Sequence, residues 1–139
     1  MDCPFCAIDK EKTRIVKRYK NFFVVLSNPR LVRGHLLVIP KKHFEKLFEL
    51  NKKLKGELFE ILVEFQEKLL RFYFGCDIRQ NYRPFLKENK FKVSHLHFHL
   101  IPRKFEDKLY KKSQIFEKEI FENLRDKEAK EVINILEDE

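Results

Sequence analysis

The strongest constraint on this chain is the run His95-Leu96-His97-Phe98-His99-Leu100-Ile101, which holds three of its five histidines. Successive side chains of a β-strand point to opposite faces. The run therefore predicts a strand with His95, His97 and His99 on one face and Leu96, Phe98 and Leu100 on the other. The apolar face builds a core, and the imidazole row faces a site. At about 3.3 Å of rise per residue, neighbours on that row stand about 6.5–7 Å apart, too far for all three rings to bond one another, so each is free for a separate task. A neutral imidazole can attack phosphorus without an activating base, act as acid or base near neutral pH, or ligate a metal. For any of these it needs a partner on its other ring nitrogen to fix its tautomer.

The surrounding sequence supplies the rest of a sheet. Arg14 to Tyr19 and Phe22 to Ser27 are apolar-rich runs divided by Lys20-Asn21, which reads as a hairpin. Asn28 to Gly34 is a turn-rich loop, and His35-Leu36-Leu37-Val38-Ile39 is a strand stopped by Pro40, since proline cannot donate to a ladder. Leu54, Leu58, Ile61, Leu62, Phe65, Leu69 and Phe72 recur at helical spacing. They predict a helix from the N-cap Asn51 to about Phe74, with Gly75 as its stop. Cys76 to Tyr82 reads as a strand, Arg83 to Lys92 as a polar loop, and His95 to Ile101 as a strand ended by Pro102. A last helix, roughly Gln114 to Leu136, carries the apolar stripe Phe116, Ile120, Leu124, Val132 and Leu136 on an otherwise acidic element. The expectation is an α+β fold with an antiparallel sheet in one domain, residues 1–139.

Composition narrows the function classes. The longest apolar runs are far too short to span a bilayer, and the opening Met1-Asp2-Cys3-Pro4 lacks the basic and apolar regions of a signal peptide, so the expected location is cytoplasmic. The formal net charge of +8 is uneven: residues 1–104 hold 23 Lys and Arg against 11 Asp and Glu, whereas residues 105–139 hold 7 against 11. That basic field suits a phosphate-bearing small molecule, a nucleic acid, or simply a soluble Lys-rich surface. Three cysteines argue against a disulfide framework and leave metal binding or reduced thiols, with Cys76 read as a buried core thiol.

Residues His95 to Arg103 resemble the His-φ-His-φ-His-φ-φ signature of the histidine triad family. Gly34-His35-Leu36-Leu37-Val38-Ile39-Pro40-Lys41-Lys42-His43 is similar to the family's Gly-His-x-Leu-Val-Ile-Pro strand, and Cys3-Pro4-Phe5-Cys6 to its opening. The resemblance spans residues 3–103 and leaves 104–139 as a C-terminal helical extension. It implies a histidine-triad-like fold, a five-stranded antiparallel sheet with two helices, usually in a homodimer. It also implies a nucleotide hydrolase in which His97 attacks an α-phosphate to form a nucleotidyl-histidine, while His99 steadies the phosphate charge and His35 lines the same site. Asn28, Leu26 and Phe22 are the implied lining of the nucleoside cleft. In the zinc-bearing branch of the family, Cys3, Cys6, His43 and His95 would hold a structural zinc ion, the alternative being free thiols with His95 on phosphate.

The resemblance weakens just before the triad. The family carries an Asn-Gly element and then Gly-Gln-Ser/Thr-Val, where this chain has Gln80-Asn81-Tyr82, a longer loop, and Lys90-Phe91-Lys92-Val93-Ser94. Gln80, Asn81, Lys92 and Ser94 remain candidate nucleotide contacts, and Arg83, Lys87, Lys90 or Lys92 are candidate cations for phosphate. The expected substrate is a nucleotide conjugate, either a dinucleoside polyphosphate or a nucleoside phosphoramidate. Alternatives are nucleotidyl transfer or phosphorolysis from His97, and a nucleic-acid role such as deadenylation. The last is not favoured, because no aromatic and basic residues interleave in a recognised module.

Overall fold

The computed structural model of the protein describes residues 3–8, 13–88, 92–114 and 119–137, which form two compact units divided after Phe105. The first unit contains β1 (Ile15–Arg18), β2 (Phe22–Leu26), β3 (Leu36–Pro40), α1 (Lys52–Leu70), β4 (Gly75–Arg79) and β5 (Phe98–Arg103). These strands make one five-stranded antiparallel sheet in the order β1-β2-β3-β5-β4, as expected of the α+β fold. One α-helix and a 3-10 turn, Leu47–Glu49, accompany the sheet among the described residues of this unit.

The predicted alternation sorts the two faces of the sheet. Phe22, Val24, Leu36, Val38, Phe98 and Leu100 face α1, which presents Leu58, Ile61, Leu62 and Phe65 to them at helical spacing. The other face carries a smaller apolar cluster, Val25, Leu37 and Ile39, with Phe5 packed against it. Cys76 is half-buried against the α1-side core, and that burial pushes its thiol up to about 11. Asn51 caps α1 as predicted: its side chain accepts from the Leu54 N–H at 2.8 Å. A carboxylate from α1 holds β1 in place, since Glu64 accepts from the Tyr19 hydroxyl at 2.6 Å and pairs with Lys17 and Lys68.

Several boundaries differ from the sequence reading, each for a local reason. The helix stops at Leu70 and not at Phe74; the N–H groups of Phe72 and Tyr73 turn back to the Leu69 carbonyl, and Gly75, not in a left-handed conformation, opens β4. β4 ends at Arg79, short of Tyr82, because β5 opposite it begins only at Phe98 and His99 is the last residue paired. Pro40 ends β3 as expected, being its last residue, whereas Pro102 lies one residue inside β5. Pro40 pairs only with Phe22, beyond the reach of β5, and Pro102 pairs only with Cys76, beyond the reach of β3. Each strand is an edge at its proline, where no N–H is required.

The second unit, from Glu106 onward, holds a single π-helical turn, Tyr110–Gln114, and α2 (Asp126–Glu137). The long second helix predicted from Gln114 is therefore reduced to its last three turns; residues 121–125 are not helical, and Phe116 lies outside the described residues. No residue of α2 is buried. Among the described residues no helix is long and apolar enough to cross a membrane.

The two faces of α1 predict opposite costs. Ile61 is 2% exposed and Phe59 is 60% exposed. Ile61→Ala should lower unfolding stability by about 2–5 kcal/mol, and Phe59→Ala should change it by no more than about 0.5 kcal/mol. Urea denaturation midpoints at constant slope measure both, and equal losses would contradict this packing.

Candidate functional site

Hydrogen bonds fix a tautomer for each of the four inner histidines. The His97 ring donates from Nδ1 to the carbonyl of His95 at 2.8 Å, which leaves Nε2 as an unprotonated lone pair. His35 accepts at Nδ1 from the Leu31 N–H at 3.1 Å, so its proton is on Nε2, where it is donated to Nδ1 of His99 at 2.9 Å. His99 consequently carries its own proton on Nε2. One backbone N–H, relayed through two rings, thus fixes the His99 proton on Nε2, and the His97 and His99 rings have centroids 4.9 Å apart.

This geometry departs from the regular strand expected over His95 to Ile101. Ladder pairing begins at Phe98, and the Leu96 N–H goes instead to the carbonyl of Phe44. With the chain out of the ladder before Phe98, His95 leaves the row formed by its neighbours. It is 1% exposed and donates from Nε2 to the Pro40 carbonyl at 2.8 Å, so its Nδ1 turns to the cysteines. The His97 and His99 rings also approach more closely than the strand spacing implied.

Cys3, Cys6, His43 and His95 bring their ligand atoms within 4.8 Å of one another. Cys3 Sγ lies 3.3 Å from His95 Nδ1, and Cys6 Sγ lies 3.1 Å from His43 Nδ1 and 3.4 Å from His95 Nδ1. A tetrahedral ion with sulfur at about 2.3 Å and nitrogen at about 2.0–2.1 Å spaces its donors by about 3.3–3.8 Å, so the four residues fit a metal ion. Desolvation, and then the Cys3 thiol beside it, push the Cys6 thiol up, and a cation would reverse that preference. Glu45 lies 3.7 Å from His43 Nε2, on the far side of that ring from the thiols. Phe5, between the cysteines in sequence, packs edge-on against both His95 and His97 at 5.9 and 5.2 Å.

Two clefts flank the histidines. One, of about 610 Å³, is lined by His97 and His99 with Asn81, Arg83, Lys92 and Ser94. The other, of about 490 Å³, is lined by His35 with Leu26, Asn28, Arg14, Arg30 and Arg33. Of the residues proposed from sequence as nucleotide contacts, Asn81, Lys92 and Ser94 line the first cleft and Asn28 and Leu26 the second. Phe22 does not: its side chain is fully buried in the α1-side core, because it shares a face with Val24 and not with Val25. Gln80 is turned to the carbonyl of Asn81 and lines neither cleft. Lys92 donates to the Leu86 carbonyl, and Lys90 lies outside the described residues.

The structure gives the reason for one residue of the sequence motif and adds one contributor that was not read from sequence. Gly34 holds φ at +85°, and a Cβ there would meet the Tyr73 hydroxyl at 2.7 Å, so only glycine lets the chain enter β3 with His35 in place. Arg79 pairs with His99 across the β4–β5 ladder and so shares its face. The signal for it was the strand period itself, but that period identifies partners only once the register is known.

The His35–His99 pair stays neutral well below ordinary imidazole values. Burial first, then the charge of Arg79, lowers His35 to about 4; burial first, then His97, His35 and Arg79, lowers His99 to about 3. An unfolded chain takes up these protons near pH 6.5, whereas the folded one does not until about pH 4, so stability is complete above that range and falls as pH drops through it. The melting temperature should therefore decline from pH 7 to pH 4, less steeply in His35→Asn than in the wild type. Parallel curves for the two proteins would show that His35 is not held neutral.

A family model described as the HIT domain matches residues 9–106. An uncharacterised HIT-like protein of Borreliella burgdorferi is 33% identical over 109 residues, covering 73% of this chain and 76% of that protein. Among solved structures, a HIT family protein from Bacillus anthracis superimposes with a TM-score of 0.72 at 21% identity, over 97% of this chain and 94% of that one. A zinc-bound histidine triad family protein from Mycobacterium smegmatis gives 0.64 at 26% identity, over 93% and 87%. The matched sheet, the histidine run and these relatives agree, and the chain belongs to the HIT domain family.

Proposed function

We propose that the protein hydrolyses nucleotide conjugates at the α-phosphate through a nucleotidyl intermediate on His97. The observation that carries this reading is the His97 tautomer. Its Nδ1–H is held by the His95 carbonyl, which leaves Nε2 as a free lone pair, and its ring stands 4.9 Å, centroid to centroid, from that of His99, whose proton is on Nε2. In the first step Nε2 of His97 forms a bond to phosphorus as the bond from phosphorus to the leaving group breaks, and the leaving group departs with the electron pair. His99 donates to a non-bridging oxygen, where negative charge grows. Water then attacks phosphorus as the P–N bond breaks, the electron pair returning to Nε2 so that His97 is released neutral with the nucleotide, and the proton that the water loses goes to the departed leaving group or to solvent. The neutrality of His35 and His99 supports the assignment, since a charged His35 could not maintain the relay that orients His99.

Zinc is the metal we assign to Cys3, Cys6, His43 and His95, two thiolates and two imidazoles being a closed set typical of structural sites. Its chemistry there is structural. It would tie the N-terminal segment, with Phe5, to the residue whose carbonyl orients His97. The substrate is a dinucleoside polyphosphate or nucleoside phosphoramidate, with the leaving group in the cleft of Asn81 and Ser94 and the nucleoside in the cleft of Asn28. A cytosolic homodimer belongs to the same reading; β4 ends the sheet, so its outer edge faces no other described strand.

His97→Ala should lower mononucleotide release by about four to six orders of magnitude with an unchanged circular dichroism spectrum. Labelled nucleotide should be trapped on His97 of the wild type; residual activity within tenfold of wild type would remove His97 from the role. Protein purified without added metal should contain about one zinc per chain, and its removal by chelator should lower the melting temperature. Elemental analysis that finds metal-free protein of full thermal stability would overturn the zinc assignment.

A further inference from the structure

The nucleoside-side cleft is unusually basic for its assigned content. Arg14, Arg30 and Arg33 all line it, and among the described residues no Asp or Glu does. Among the described residues none of the three forms an ion pair. Their backbones are tied to the reacting histidines. The Ser27 N–H donates to the His35 carbonyl at 2.9 Å, the His35 N–H to the Val32 carbonyl at 3.2 Å, and the Leu31 N–H to the His35 ring, which pins the segment carrying Arg30 and Arg33. Arg14 is fixed at the entrance to β1, where its carbonyl accepts from the Leu26 N–H at 3.0 Å.

A neutral nucleoside offers these three cations nothing to neutralise. Its base suits the apolar floor of Val25 and Leu37, but guanidinium groups match phosphate, which they hold through paired N–H donors. In the reaction proposed above the 5′-phosphates are at His97 and His99, which line the other cleft, so a phosphate on this side of His35 would be attached to the sugar. Resting on the reaction proposed above, we infer that the preferred substrate is a small nucleotide conjugate bearing a second phosphate on a ribose hydroxyl, bound by Arg14, Arg30 and Arg33.

Titration calorimetry on the intact protein tests this without turnover, using AMP, adenosine 2′,5′- and 3′,5′-bisphosphate, and ADP as probes. One of the two bisphosphates should bind at least tenfold tighter than AMP. The double variant R30Q/R33Q should reduce that ratio to within about threefold, and R30K/R33K should retain most of it; R14Q read alone serves if the double variant fails to fold. Bisphosphates no tighter than AMP would overturn the proposal. So would ADP gaining as much and losing as much in R30Q/R33Q, because the arginines would then serve the 5′-chain. A 5′-phosphorylated oligonucleotide that outbinds both bisphosphates, with affinity falling steeply with salt, would overturn it in favour of a nucleic-acid end. Failure of His97 to label, with the bisphosphate preference intact, would remove the reaction and uphold the cleft.

Discussion

His95 connects the parts of this molecule that chemistry needs together. Its ring donates to the Pro40 carbonyl on β3, its other nitrogen faces Cys3 and Cys6, and its own carbonyl accepts the His97 proton. Each of these bonds constrains the next. The Pro40 contact fixes which nitrogen is turned to the thiols, and the position this imposes on the backbone sets where the His97 ring is held. A residue 1% exposed with both ring nitrogens occupied leaves little freedom for any of its partners.

That arrangement requires an interruption of regular structure. Had the chain continued as a strand from His95, the three imidazoles would line one face at one spacing and with one environment. Leaving the ladder before Phe98 separates them. His95 moves to the thiol cluster, while His97 stays beside His99. Within the sheet proper, His99 is held from three sides, by Leu37 and Arg79 across the two ladders and by His35 through the ring bond. Burial first, and then the charges beside them, Arg79 among these, make protonation of either buried imidazole costly, so the pair is held together by hydrogen bonds and not by charge.

On the reading proposed above, the two clefts divide the labour of recognition. On one side His97 and His99 meet a polar loop with Asn81 and Ser94; on the other His35 meets the arginines of the segment before β3. His35 serves both, structurally as the loop's anchor and chemically as the donor to His99. Gly34 makes this possible by turning the chain where a side chain would collide with Tyr73.

The sequence by itself determined the strands β1, β2 and β3, the start of α1 at Asn51, the two-faced sheet, and the set of histidines and cysteines that the fold brings together. All of these follow from side-chain period and short-range hydrogen bonding, which are local. Where strands end depended on how far neighbouring strands reach, and that is not visible along the chain. Phe22 shows the limit: apolar and near the cleft in sequence, it belongs to the core because the register places it with Val24. Only the tertiary structure brought Arg79 beside His99, turned His95 away from its neighbours and gathered Arg14 with Arg30 and Arg33, because long-range pairing and not sequence spacing decides which charges share a space.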